Sequence, residues 1–129
     1  MVEVVTGLHS LTVHITDIQK ARSFYREVLG LQEIQFDEKG SRAVFAIPGS
    51  SATLAMHIMG PAEGGRAPGT VSGIIFKHPD PAAACVEIKR RGGTITVEPN
   101  VIEFPGGTFT RAAFADPDGN EFVISNRVG

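Results

Sequence analysis

The sequence predicts an α+β domain made of two tandem βαβββ modules, and three observations carry that prediction. RAVFAIP at Arg42–Pro48 recurs as RAAFADP at Arg111–Pro117, 69 positions on and with five of seven residues identical. Asp17, Ala21 and Gly30 recur as Asp80, Ala84 and Gly93, 63 positions on. Each half of the chain also runs through strand-period and helix-period segments in the same order, as an internal duplication requires.

The first strand is SLTVHIT, where Leu11, Val13 and Ile15 alternate with Ser10, Thr12 and His14. Asp17 suits a helix N-cap, and Ala21, Phe24, Tyr25, Val28 and Leu29 fall at helical spacing until Gly30. LQEIQFDE, SRAVFAI and SATLAMHIM follow as three strands, separated by turns at Lys39-Gly40 and Pro48-Gly49-Ser50. These form a first module over about 8–59. Residues 60–70, rich in Gly and Pro, read as a surface linker to a second module over about 71–127. That module repeats the order: GIIFKH, a helix from about Pro81 to Arg91, GTITVE, TFTRAAF and NEFVISN. About six extra residues near EPNVIEFPGG read as a longer loop, either a lid or an inert insertion. DPDG before the last strand reads as a turn, and Asp116 and Asp118 alone make a poor calcium loop.

Composition narrows the class of function. The chain has 129 residues, 42% hydrophobic and 20% charged, which suits one globular domain. A formal net charge of −2 provides no basic field for nucleic acid. No apolar run is long enough to span a membrane, and MVEVVTGLHS lacks the pattern of a signal peptide, so a cytoplasmic protein is expected. Cys85 is the only cysteine and sits mid-helix, which excludes an intrachain disulfide and a cysteine zinc site.

Strand alternation assigns side chains to two faces. Leu11, Val13, Ile15, Ile74 and Phe76 should pack under the helices, leaving Ser10, Thr12, His14, Gly73, Ile75 and Lys77 on the opposite face. In the last strand Glu121, Val123 and Ser125 should face the same way, with Ala52, Leu54 and Met56 as their first-module counterparts. If Phe45 and Phe114 pack under the helices, Arg42 and Arg111 join the open face. The candidate ligand-binding residues are therefore His14, Arg42, Met56, Lys77, Arg111 and Glu121, few polar groups on a largely apolar surface. Each charged one alone also suits a solvated rim.

LTVHITDIQKARSFYREVLGL, with its D-x3-A-x2-FY-x3-LG pattern, and the closing FADPDGNEFVI resemble the vicinal oxygen chelate superfamily over nearly the whole chain. That superfamily includes glyoxalase I, methylmalonyl-CoA epimerase, extradiol dioxygenases and the bleomycin- and fosfomycin-resistance proteins. The resemblance implies that the paired modules form a cup-shaped mixed sheet and assemble as a homodimer. It also implies that any metal ligands come from the first and last strands of each module. Those positions fall at Ser10, Leu54, Gly73 and Val123, where a divalent ion would find a single hydroxyl.

The leading expectation is metal-free binding of a small organic molecule in a cleft shared by the modules, as in drug-sequestering resistance proteins, with no cofactor. A second is a metal-dependent lyase, isomerase or dioxygenase using His9, His57 and Glu121 in a shifted register. A third is metal-free catalysis with His14 as base and Lys77 or Arg111 stabilising an anion. The ligand itself is not legible.

Overall fold

The computed structural model describes residues 3–37, 39, 41–58 and 67–128. The residues that recur between the halves are the ones that start, pack and stop the helices. Asp17 leads β1 (Ser10–His14) into α1 (Ile18–Ser23), its carboxylate accepting the Gln19 and Lys20 N–H groups at 3.0 and 3.1 Å. Asp80 caps α2 (Pro81–Arg90) by accepting Ala83 N–H at 3.1 Å, with Pro81 where no N–H is needed. Ala21 and Ala84 are buried against the sheets. Gly30 adopts a φ of 71°, while a Cβ on Gly93 would lie 2.5 Å from an Ile88 methyl and 2.9 Å from one of Val28.

The single helix expected through Leu29 changes character at Phe24. A π-helical turn, Phe24–Val28, follows α1, and the Leu29 N–H reaches back to the Phe24 carbonyl at 3.2 Å. Within this turn the adjacent Phe24 and Tyr25 are both buried.

The remaining strands are β2 (Glu33–Asp37), β3 (Arg42–Ala46), β4 (Thr53–His57), β5 (Ile74–Lys77), β6 (Thr94–Phe104), β7 (Gly107–Ala115) and β8 (Glu121–Ser125). They form two four-stranded mixed sheets, ordered β1-β4-β3-β2 and β5-β8-β7-β6. In each sheet the outer first strand runs parallel to its neighbour and the other pairs are antiparallel. This is the α+β fold of two tandem βαβββ modules. Of the expected linker, only residues 67–70 are described, and of the Lys39-Gly40 turn only Lys39.

The expected loop near EPNVIEFPGG is instead a β-ribbon. β6 and β7 stay paired out to Phe104 opposite Gly107, and the register shifts between Ile95 and Val97 and between Val97 and Asn100. These irregularities, on an outer strand, accommodate Pro99, which has no N–H to give to a ladder.

One core serves both modules. Val13, Ala43, Phe45, Leu54 and Met56 from the first sheet cluster with Ala112, Phe114, Phe122 and Ile124 from the second, and both helices contribute. Tyr25 meets Phe45 at 6.0 Å on one side and Phe122 at 6.1 Å on the other.

A polar latch ties this shared core together, and the DPDGN segment supplies it. The Tyr25 hydroxyl donates to the buried Asp116 carboxylate at 2.7 Å. The Asn120 amide, the Asn120 N–H and the Asp118 N–H also donate to that carboxylate, at 2.8, 2.9 and 3.0 Å. The same Asn120 amide donates to the His14 carbonyl at 3.0 Å, and Thr16 donates its hydroxyl to Asp118 at 2.7 Å. The segment is thus more than a turn: its side chains reach across to the first module.

Burial, then the Asp116 charge and hydrogen bond, push the Tyr25 hydroxyl well above its ordinary range. The unfolded chain ionises this group near pH 10 and the folded chain does not, so its contribution is whole below that pH and is lost as the pH rises above it. Tyr25→Phe should cost about 1–3 kcal/mol in urea unfolding at pH 7. It should also flatten the fall in stability above about pH 10. An unchanged alkaline limb in the variant would contradict this assignment.

Candidate functional site

Each sheet has one face against the core and one turned away from it, and cross-strand pairing identifies the second set. The repeat shift of 69 that relates Arg42 to Arg111 does not continue into the last strands. Leu54 stands level with Leu11 and Phe45, and Phe122 with Ile74 and Phe114, so Leu54 corresponds to Phe122 with a shift of 68. The β3–β4 connection is one residue longer than the β7–β8 connection.

This offset corrects the first-module assignment. Leu54 and Met56, expected on the open face, are fully buried in the core, and Ala52 precedes β4 on the helix side. Thr53, Ala55 and His57 stand instead opposite the partners that define the open face. Met56 is therefore a packing residue. The first-module position matched to Val123 is Ala55, not Leu54.

Three rows then cross each open face, strand by strand, at spacings of about 5 Å. The first row holds Ser10, Thr53 and Ala46, matched by Glu121, Ala115 and Thr94. The middle row holds Thr12, Ala55, Val44 and Gln35, matched by Ile75, Val123, Ala113 and Val97. The third holds His14, His57, Arg42 and Asp37, matched by Lys77, Ser125, Arg111 and Asn100. Apart from Thr12 and Gln35 the middle row is apolar, with Ala55, Val44 and Ala113 buried and Ile75 64% exposed. The third row gathers Arg42, Lys77, Arg111 and His14.

The latch reaches this face through the backbone. The His14 carbonyl accepts from the Asn120 amide at 3.0 Å and the Gly69 N–H at 3.3 Å. His14 as a whole is only 7% exposed, and its Nδ1 has no hydrogen-bond partner among the described residues. Buried polar atoms are ordinarily satisfied, so this nitrogen is a group in want of a partner. Glu121, in the first row, accepts the Thr96 hydroxyl at 3.0 Å.

The ligand positions implied for a metal now read Ser10, Ala55, Gly73 and Val123. Only the serine hydroxyl offers a side-chain donor, and a divalent ion needs several at about 2 Å. The shifted set does not converge. The His9 carbonyl bonds the Thr53 N–H, whereas His57 closes the other end of β4, about 13 Å away at strand spacing. Among the described residues no three His, Cys, Asp or Glu side chains come together. Burial raises the Cys85 thiol, and α2 places it in the core.

A groove of about 760 Å³ lies on the helix side. Leu11, Val28, Leu29, Ile74, Phe76 and Ile88 line it, and Lys77 alone of the candidate residues reaches it. It runs along β5, an outer strand without a further hydrogen-bonded neighbour in its sheet.

The fold, the latch and these faces define a class. Residues 7–124 match the family described as the glyoxalase/bleomycin resistance protein/dioxygenase superfamily, and the chain belongs to it. A member of that superfamily from Sphaerobacter thermophilus is 30% identical, with a TM-score of 0.77 over 95% of this chain and 98% of that one. TnmS3, an antibiotic binding protein from a Streptomyces species, is 25% identical, with a TM-score of 0.73 over 95% and 96%. A glyoxalase/bleomycin resistance protein from the same Streptomyces strain is 25% identical, with a TM-score of 0.68 over 92% and 98%. No curated protein matches the chain.

Placement separates packing from surface roles. Met56→Ala should cost about 2–5 kcal/mol of stability as a cavity in the core. Arg42→Gln should change stability by no more than about 0.5 kcal/mol. Chemical denaturation of both variants checks this, and the reverse order would return Met56 to the open face.

Proposed function

We propose that the chain binds a small organic molecule, without a metal ion, on the open faces of its paired sheets, in the manner of a drug-sequestering protein. The observation that carries this reading is the composition of those faces. Apolar side chains make up most of the middle rows, polar groups border them, and three of the four metal positions implied by the resemblance have no donor side chain. The proposed contacts come from His14, Arg42, Lys77, Arg111 and Glu121. The likeness to an antibiotic binding protein supports the class of function.

A homodimer is part of the proposal. β1 and β5 are both outer strands, and the groove along β5 is apolar and open, as an association edge would be. Val4, Val5 and Leu8 add exposed apolar side chains at 95%, 77% and 62%. In this proposed dimer the first-module face of one copy meets the second-module face of the other, which makes the shared cleft. We place this assembly in the cytoplasm, since Cys85 alone offers no disulfide and no described helix can cross a membrane.

A second reading, metal-free catalysis with His14 as general base, is favoured by the unpartnered, buried Nδ1 of that residue. Turnover lost in His14→Gln while binding persists would select it.

Two measurements test the main reading. In a thermal-shift panel of aromatic and peptide-like compounds, a true ligand at about 100 times its Kd should add roughly 2.7 kcal/mol of stability. Ni²⁺, Zn²⁺, Mn²⁺ and Fe²⁺ should add nothing, and a tightly held stoichiometric metal would overturn the metal-free reading. Sedimentation analysis should give a dimer that Leu8→Asp weakens. A monomer at every concentration would remove the shared cleft.

A further inference from the structure

We propose that the ligand is an amphipathic organic oxyanion held in the shared cleft of the proposed dimer, its charged group on the third rows against Arg42 of one copy and Arg111 and Lys77 of the other and its apolar body lying on the middle rows. This rests on the reading of the open faces as the binding surface. It adds the chemistry of what they hold.

The argument begins with how the chain treats its arginines. Arg22 pairs with Glu33 at 2.7 Å, Arg26 with Glu27 at 3.1 Å, and Arg91 with Glu87 at 3.0 Å. Arg90 also pairs with Glu87, and Arg127 lies over the Phe104 ring at 4.3 Å. Arg42 and Arg111, the two on the open faces, are the described arginines whose guanidinium has no such partner among the described residues. A guanidinium presents a planar fork of donors that matches an oxyanion.

The two arginines are also equivalent. Each stands across from the last residue of its module's closing strand, His57 or Ser125, and beyond that from the end of the first strand, His14 or Lys77. Both copies of the duplicated scaffold therefore hold cationic side chains on one row, although the chain as a whole carries a net charge of −2. The row is a local arrangement and not a share of general basicity.

Acidic groups leave the two rows unequal. Asp37 stands beside Arg42 at the outer end of the first-module row, one cation to one carboxylate, whereas the second-module row holds Lys77 and Arg111 and no carboxylate. Glu121 lies four residues along β8 from Ser125, about 13 Å off at strand spacing. His14 adds a buried ring whose Nδ1 lacks a partner, positioned within the row by its latched backbone. Next to the cations the exposed or half-buried Ile75, Val123 and Val97 can pack a hydrocarbon, over the buried Ala55, Val44 and Ala113 and flanked by Thr12 and Gln35.

The test uses a matched pair of fluorescent probes on the intact protein: 8-anilinonaphthalene-1-sulfonate, an anion, and the uncharged N-phenyl-1-naphthylamine. The anion should bind at least about tenfold more tightly. Arg42→Gln and Arg111→Gln should each erase most of that preference while leaving the neutral probe unchanged, and added salt should do likewise. Thr12→Trp and Ile75→Trp, which fill the middle rows, should weaken both probes. Circular dichroism confirms that each variant is folded. Equal affinity for the two probes, or indifference to both arginines, overturns the oxyanion and leaves the open-face reading standing. If neither probe binds, or both bind unaffected by the tryptophans, the open-face reading falls and the oxyanion falls with it.

Discussion

The buried carboxylate of Asp116 is the interaction on which the rest of the molecule depends. Four donors converge on it, and one of them, the Tyr25 hydroxyl, comes from the other module. A carboxylate in a core would be costly without such company, because its charge has left water. With it, the charge becomes a specific joint: it fixes Asn120, which in turn holds the backbone of His14 and the N–H of Val71 at 3.1 Å. The same contacts that join the modules therefore place the first residue of the third row. Structure and site share a support.

Much of the fold was legible because the chain says it twice. Asp17 and Asp80, Ala21 and Ala84, and Gly30 and Gly93 were readable as pairs, and the structure gives each pair a mechanical task at a helix start, a packed interface or a helix end. Alternation also separated Val13 from His14, and Phe76 from Lys77, without knowledge of the partner strands. The DPDGN latch was not legible in the same way. Its importance lies in contacts 91 to 106 residues apart in sequence, and a turn-forming motif looks the same whether or not its side chains bond elsewhere.

The open face was half legible for a related reason. Second-module positions followed from counting along β5 and β8. In the first module the count crossed a connection one residue longer than its counterpart, and Met56 landed on the wrong side. Its neighbours could have warned of this: Leu54 and Met56 are the large apolar residues of β4, whereas Ala55 is small and His57 polar. Hydrophobicity within the strand was a better guide than the repeat. The β6–β7 ribbon was missed because residues without a counterpart in the first module read as a loop, whereas two strands can equally take up extra length by staying paired further out.

The longer β3–β4 connection has a meaning for how a duplicated chain diverges. A residue gained within a strand would exchange its two faces, sending core side chains outward and surface ones inward. A residue gained in the connection leaves both faces as they were, because burial of Leu54 and Met56 resets the strand after the bend. A difference in length at a bend therefore leaves the side chains on each open surface where they were. A scaffold of this kind separates tolerance from specificity: its bends absorb insertions, and its strands keep the vocabulary with which a new ligand can be met.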